Sequence, residues 1–283
     1  MNCDLHTHTN FSDGSFTPAE LVQLAKEKNL IIALTDHNTS SGLPIFMKEA
    51  EAAGVTAVAG VELSTNYQGK EFHLLGLFLE PQHYEAVESL CVEYQILKEL
   101  SNLELVEKLN KLGYHIEYPN VRRRNVKGNA NRAHVAEELV ACGYVGSVTE
   151  AFRTLLDEDL GIYVPPRRLD LIEAIGFLRG IDAVPVLAHP VKDVSADKLR
   201  EMLPALIDAG LMGIETMHSS FDNDTIAMMK EMAKEFGLTE SGGSDFHGSA
   251  KPDVMLGTGK GNLCIDEQVY LGLLSLKNKG TKQ

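Results

Sequence analysis

Short apolar runs alternate with amphipathic segments along much of this sequence, and this alternation limits the possible folds more than any other feature. The runs have the character of buried strands and lie near 30–35, 56–61, 183–188 and 212–217. Most are separated by segments with helical spacing, such as the one that follows Thr17-Pro18. Strands that alternate with helices predict a parallel α/β sheet or barrel.

The middle of the chain breaks this alternation. From about 82 to 180 the pattern is almost entirely helical, with one long candidate helix over 82–112 that ends at Gly113. We therefore predict a barrel formed by 1–81 and 181–283, with 82–180 inserted as a helical subdomain that caps the substrate. A chain of 283 residues suits one such domain with an insertion.

Charge and cysteine content restrict the ligands. The chain has 26 basic and 40 acidic residues, a net charge of -14, which argues against binding long nucleic acid through a broad basic face. Positive charge is concentrated instead in one short stretch, at Arg122, Arg123, Arg124, Lys127 and Arg132. The four cysteines form no C-x-x-C pair, so any metal must be held by nitrogen and oxygen.

Localisation is predicted from what the sequence lacks. No window approaches the ~18 to 20 apolar residues that span a bilayer, and the N-terminal segment has neither a basic start nor an apolar signal core. We expect a cytoplasmic protein that does not associate with membranes and has no stable protein partner.

Histidines and carboxylates recur where predicted strands end. They lie in the segments Asp4-Leu5-His6-Thr7-His8, Asp13-Gly14, Thr35-Asp36-His37-Asn38, Glu62, His73, His189-Pro190 and Gly243-Ser244-Asp245-Phe246-His247. In a parallel α/β fold the carboxyl ends of the strands lie at one end, so these residues can meet. Neutral imidazole with carboxylate is the ligand set of zinc, manganese or iron. One shared carboxylate can also bridge two cations, as in two-metal hydrolases.

In this order, DLHTH, TDHN, Glu62 after VAG, AHP and GSDFHG resemble the successive motifs of the polymerase and histidinol phosphatase (PHP) superfamily of phosphoesterases. The resemblance extends from about residue 4 to 247. It implies a distorted (β/α)7, TIM-like barrel with two or three divalent metals at the carboxyl ends of the strands. The implied ligands are His6, His8, Glu62 and Asp245 for one metal, Glu62, His73 and His189 for a second, and Asp13, His37 and His247 for a third. Asp13 departs from the pattern, because many members have histidine there.

The insertion after the segment of His73, the Asn131-Arg132-Ala133-His134 segment and the GSDFHG ending resemble one branch of the superfamily. That stand-alone branch hydrolyses nucleoside 3′,5′-bisphosphates and short 5′-phosphorylated oligonucleotides. The resemblance therefore implies a small phosphorylated nucleotide as substrate. Among the metals that share these ligands, we expect Mn²⁺ ahead of Fe²⁺ or Zn²⁺.

Other functions remain open at this point. The chain could be a histidinol-phosphate or other small-metabolite phosphatase. An amidohydrolase with a related barrel is disfavoured, because no lysine suits the carbamylated position. From a different class, a non-catalytic metal-binding module is disfavoured by the intact set of candidate ligands.

Several residues near these motifs are candidates for other roles. Arg132, with His134 beside it, is a candidate for binding a second phosphate, provided that a loop or helix start lets both contribute. His218 follows the run at 212–217, where it either protonates the leaving oxygen or caps a loop, and Asp13 is a second catalytic candidate. Asp36 either orients His37 or forms a turn. Glu215 either supports the site or pairs with a barrel cation.

Overall fold

The computed structural model describes residues 1–124, 131–157 and 160–280, and in this part of the chain seven strands form one sheet in chain order. The strands are β1 Asn2–Asp4, β2 Leu30–Leu34, β3 Ala57–Tyr67, β4 Lys70–Leu77, β5 Val184–Ala188, β6 Gly213–His218 and β7 Thr239–Gly243. The Leu5 N–H donates to the Gly242 carbonyl at 3.1 Å, so β7 lies beside the chain leaving β1 and the sheet nearly closes. The predicted distorted (β/α)7 barrel is confirmed.

Helices connect most of these strands. They are α1 Pro18–Glu27, α2 Leu43–Ala53, α3 Tyr84–Lys111, α4 Tyr118–Arg123, α5 Arg132–Ala141, α6 Val148–Ala151, α7 Leu171–Gly180, α8 Ala196–Asp208, α9 Asn223–Phe236 and α10 Glu267–Gly280. Local signals fix their ends: Thr17 and Glu20 form a capping box at α1, and the Asp222 carboxylate caps α9. In the described residues no helix has the length and apolarity required to cross a membrane.

One strand, β4, departs from the parallel pattern, because it runs antiparallel to both β3 and β5. β3 and β4 form an antiparallel hairpin whose turn places Gln68 and Gly69 at φ of 51° and 81°, which are the left-handed angles of a tight hairpin turn. In this register His73 lies opposite Ser64, diagonal to Glu62, and it also pairs with Ala188 on β5. The hairpin therefore brings His73 beside both Glu62 and the end of β5.

The chain divides into two compact units. The larger consists of Met1–Glu88 and Leu169–Gln283, and the smaller consists of Ser89–Arg168. The larger unit contains the barrel. It also contains α7, which lies in the segment predicted to be inserted, because the Leu178 side chain packs directly over Gly76 of β4. The smaller unit has its own apolar core, formed by residues that include Leu105, Leu109, Val135, Leu139 and Leu156.

The junction of β7 with β1 leaves no room for a side chain at Gly243. A Cβ there would lie 2.3 Å from the His6 Cβ and 2.5 Å from the His6 nitrogen. We expect Gly243→Ala to lower the free energy of unfolding by about 1 to 3 kcal/mol, as other overpacked cores do. Gly176→Ala is the matched control, because a Cβ at Gly176 in α7 meets nothing within 4 Å. Chemical denaturation of both variants makes the comparison, and equal stabilities would contradict this packing.

Candidate metal centre

A buried carboxylate, Glu62 of β3, lies at the middle of the histidine cluster. Its Oε2 atom lies 3.0 Å from His6 Nε2, 3.2 Å from His8 Nε2 and 3.1 Å from His37 Nδ1. The side chain has no exposure to solvent. Three imidazoles from the segments that follow β1 and β2 therefore converge on one oxygen atom.

The other oxygen of Glu62 faces two further imidazoles. Oε1 lies 2.8 Å from His73 Nδ1 and 3.2 Å from His189 Nε2. Each oxygen thus has its own group of histidines, as a carboxylate that bridges two cations requires.

Two more carboxylates complete the cluster. Asp245 Oδ1 lies 3.3 Å from His8 Nε2 and 3.4 Å from His247 Nδ1. Asp13 Oδ1 lies 3.1 Å from His247 Nε2, and its Oδ2 lies 3.9 Å from His37 Nε2. The structure therefore brings all nine residues that the motifs indicated as ligands into one connected cluster of the larger unit.

The cluster contains buried polar atoms without a hydrogen-bond partner, which are rare in folded proteins. Among the described residues these atoms include His6 Nε2, both ring nitrogens of His8, His37 Nδ1, Glu62 Oε2, His189 Nδ1, His218 Nε2 and His247 Nε2. Donor atoms of His8, Asp13, His37 and His247 all lie within 4.8 Å of one another, as do those of His37, Glu62 and His73. Nitrogen and oxygen donors left unsatisfied at this spacing fit divalent cations.

Histidines and carboxylates of the cluster offset the effect of burial on one another's pKa values. Burial would raise the pKa of Glu62, but His6 and His37 hold that pKa well below its usual value. Burial would likewise lower the pKa of His6, but Glu62 and Glu215 raise it well above the usual value. The pKa of His37 falls to about 3, mainly because of burial.

Two candidate ligands have strained backbone conformations. His189 has a φ of 29° and Asp245 a φ of 59°, in the left-handed region that side chains other than glycine rarely adopt. Such strain costs of order 1 to 3 kcal/mol and concentrates at functional sites. Here it accompanies two side chains that face the cluster.

Glu215 of β6 orients two of the candidate ligands. His6 Nδ1 lies 2.9 Å from Glu215 Oε1, and the His189 N–H donates to Oε2 at 2.7 Å. The sequence left open whether this residue supports the site or pairs with a barrel cation, and its contacts are with the site. Engaging Nδ1 of His6 leaves Nε2 available as a ligand atom.

The sequence left open whether Asp36 orients His37 or forms a turn, and its hydrogen bonds are with the loop that follows His8. Its carboxylate accepts from the Thr9 N–H at 2.7 Å and from Ser12 Oγ at 2.6 Å, and the Thr9 hydroxyl also donates to it. These hydrogen bonds hold the loop that leads to Asp13. Asp36 therefore supports that loop instead of orienting the ring of His37.

His218 joins the cluster at the end of β6. The Ser220 N–H donates to His218 Nδ1 at 3.1 Å, and Nε2 lies 3.4 Å from Asp245 Oδ2. Because Nδ1 accepts, the neutral ring carries its proton on Nε2. The burial of His218 lowers its pKa and so favours that neutral form.

The basic residues singled out in the sequence lie in the smaller unit. Arg132 is the first residue of α5, with its guanidinium carbon 4.3 Å from the Tyr163 ring centroid, and His134 takes part in the Asn131 capping box of the same helix. Arg122 pairs with Glu99, Arg124 pairs with Glu138, and Arg123 bonds Asn120. Lys127 lies outside the described residues.

Sequence reasoning missed two residues. Lys251 Nζ lies 2.8 Å from Asp245 Oδ2, and buried Asp4 accepts from the Ser244 and Gly257 N–H groups at 2.8 Å and 2.7 Å. The one signal for Lys251 is its position just after GSDFHG. Asp4 begins the DLHTH motif, but the pattern does not indicate its partner.

Comparison with known proteins gives concordant matches. The PHP domain family model matches residues 4–150. A 5′-3′ exoribonuclease of Haemophilus influenzae is 31% identical over 246 residues, which cover 86% of this chain and 89% of the relative. A 3′,5′-nucleoside bisphosphate phosphatase of Chromobacterium violaceum is 28% identical over 256 residues, covering 87% of each chain. A solved structure from Bifidobacterium adolescentis, assigned as a metal-dependent phosphoesterase, has a TM-score of 0.69 and 26% identity, covering 97% of this chain and 96% of that one.

The contacts of Glu215 predict an effect on metal affinity. Glu215→Gln removes the negative charge beside His6 Nδ1, so it should weaken metal binding about 10- to 100-fold. Glu240→Gln is the control, since Glu240 is partly exposed and contacts Thr216 and Lys230 instead. Competition with a chromogenic chelator measures both affinities. Equal affinity in the two variants would show that Glu215 has no influence on the ligands.

Metal binding should also depend on pH. In the chain without metal, burial opposes protonation of His73, but the hydrogen bonds to Glu62 and Glu71 raise its pKa to about 10, and the pKa of His6 is also raised. A cation must displace these protons. We expect release of at least about one proton per chain at pH 8 and a falling affinity toward pH 6. Calorimetry in two buffers of different ionisation enthalpy counts the protons, and a count of zero would contradict the prediction.

Proposed function

This chain belongs to the PHP domain family, and from that membership we propose that it is a metal-dependent phosphoesterase that removes the 3′-phosphate of nucleoside 3′,5′-bisphosphates. The observation that carries the proposal is the pair of histidine groups on the two oxygens of Glu62. Such a site suits hydrolysis of phosphate esters, because two adjacent cations can stabilise both oxygens of an in-line displacement.

The proposed ligands follow the contacts of the cluster. His6, His8, Glu62 and Asp245 would hold one cation, and Glu62, His73 and His189 a second. Asp13, His37 and His247 would hold a third. When bound, divalent cations activate water and neutralise the charge that develops on the phosphoryl oxygens. We propose Mn²⁺ as the metal, with Fe²⁺ and Zn²⁺ as alternatives that share this mixture of imidazole and carboxylate ligands.

Two residues would act on the substrate directly. Neutral His218 carries its proton on Nε2, so it would donate a hydrogen bond to the leaving oxygen instead of transferring a proton. Burial would raise the pKa of Asp13, but His247 and His37 lower it below the usual value, so Asp13 stays ionised. It would serve as a ligand or as a hydrogen-bond acceptor for the attacking water.

Two relatives support the choice of substrate, a 3′,5′-nucleoside bisphosphate phosphatase and a 5′-3′ exoribonuclease. A nucleoside 3′,5′-bisphosphate and a 5′-phosphorylated oligonucleotide both have a phosphate ester at the 3′ oxygen and a phosphate at the 5′ oxygen. We propose that this chain cleaves the former and, as an extension, short oligonucleotides of the latter kind. The 5′-phosphate would then be recognised and not cleaved.

Arg132 and His134 are proposed to bind that second phosphate, with the smaller unit acting as the substrate cap. The helix start that both residues needed is present, since they are the first and third residues of α5. Helix N-termini favour phosphate groups. The His134 ring accepts from the Asn131 N–H through Nδ1, which leaves its Nε2–H as a donor.

A screen of phosphate release tests the proposal. The metal-loaded protein is assayed with nucleoside 3′,5′-bisphosphates, mononucleotides, histidinol phosphate and short 5′-phosphorylated oligonucleotides. We expect the highest kcat/KM with a bisphosphate, with nucleoside 5′-monophosphate as the product. A preference for histidinol phosphate would instead assign the chain to small-metabolite phosphatases, and activity on none would contradict an enzymatic role.

The role of Arg132 gives a kinetic prediction. Arg132→Ala should raise KM for a bisphosphate far more than for a monophosphate, because a guanidinium bound to phosphate contributes roughly 1.5 to 3 kcal/mol, about tenfold to a hundredfold in affinity. Steady-state kinetics on both substrates measures the difference.

Two further variants control for folding and for general charge. Arg132→Lys retains a cation, and Arg122→Ala removes one that is paired with Glu99 in the same unit. An equal loss on mono- and bisphosphate in Arg132→Ala would mean that Arg132 touches the reacting phosphate instead or is structural, as its contact with the Leu156 carbonyl at 3.3 Å would suit.

A further inference from the structure

The two oxygens of Asp245 face different surroundings. Oδ1 faces the imidazoles of His8 and His247, whereas Oδ2 lies 2.8 Å from Lys251 Nζ and 3.4 Å from His218 Nε2. The carboxylate therefore stands between the candidate metal ligands and a pair of hydrogen-bond donors. Neither donor belongs to the ligand set.

The backbone that carries Lys251 is held in place. The Ser249 N–H donates to Ser15 Oγ at 2.8 Å, and the Lys251 N–H donates to the Gly248 carbonyl at 3.1 Å. Gly248 has a φ of 64°, and a Cβ there would lie 2.2 Å from Ser15 Oγ, so no other residue fits this turn without a shift. These contacts fasten the turn before Lys251 to the loop that follows Asp13.

The ion pair with Asp245 does not use all the hydrogen-bond donors of the Lys251 ammonium. The Lys251 side chain is 40% exposed although its partner Asp245 is buried, so the ammonium is accessible from solvent. An ammonium has three donors, and one of them suffices for Oδ2. In a chain of net charge -14, a fixed cation beside the candidate ligands is suited to an anion.

We propose that Lys251 and His218 form a subsite for the oxygens of the phosphoryl group that is cleaved. This inference rests on the proposed function, since it assigns the contacts of the same site. Lys251 supplies charge and a hydrogen bond to a non-bridging phosphoryl oxygen, and the Nε2–H of His218 supplies the hydrogen bond to the leaving oxygen. Asp245 Oδ2 accepts from Lys251 and so orients the ammonium, while Oδ1 remains directed at the ligand histidines.

Binding of inorganic phosphate to the metal-loaded protein tests the subsite without any assumption about the substrate. Lys251→Gln should retain the metal content of the wild type and weaken phosphate binding about tenfold, and Lys251→Arg should recover part of that loss. Lys198→Gln is the matched control, because Lys198 is similarly exposed and pairs with Glu201 on α8. Phosphate binding is measured by calorimetry and by protection against thermal unfolding, and metal content by elemental analysis.

The outcomes separate this inference from the proposed function. Loss of metal in Lys251→Gln, with unchanged phosphate affinity in the molecules that remain loaded, would show that the lysine only neutralises Asp245 and would overturn the subsite. Unchanged phosphate affinity alongside rapid bisphosphate hydrolysis would overturn the subsite alone. Weakened phosphate binding in Lys251→Gln, in a protein that does not hydrolyse bisphosphates, would support the subsite and contradict the proposed substrate.

Discussion

Glu62 is an anion with no exposure to solvent, and a buried carboxylate is stable only when positive charge or hydrogen-bond donors surround it. Here imidazoles surround it on both oxygens. The close approach of the rings limits the positive charge that they can supply, because neighbouring imidazolium ions repel. The centroid of the His8 ring lies 4.1 Å from that of His247 and 4.4 Å from that of His37. Divalent cations remove this conflict, because they bring positive charge and bind neutral imidazoles.

Several departures of the barrel from regular structure lie at the cluster. Strand β4 runs antiparallel to both of its neighbours in an otherwise parallel sheet, and its register sets His73 diagonal to Glu62. Left-handed backbone occurs at His189 and Asp245. Gly243 is needed where β7 passes against His6. Local strain and close approach thus coincide with the ligands, as expected where function and stability compete.

Features that depend on hydrophobic periodicity and on the order of motifs along the chain could be predicted from the sequence. The apolar run at 30–35 corresponds to β2, and the long helix predicted to end at Gly113 corresponds to α3. Strand-end motifs indicated the convergence of His6 and His189, because parallel strands end together. Side-chain partners were not predictable in the same way. Glu215 bonds His6 across 209 residues, and Asp36 bonds Thr9 and Ser12 instead of His37, since such choices depend on three-dimensional register that no local pattern encodes.

Metal content in wild type and in Glu62→Gln is the most direct test of the central claim that one carboxylate serves two cations. After chelator-free purification and reconstitution with Mn²⁺, elemental analysis should find at least about two ions per wild-type chain. Glu62→Gln should lose both, whereas His73→Gln, which alters one side of the carboxylate, should lose only one. Wild-type stoichiometry in Glu62→Gln would contradict the account.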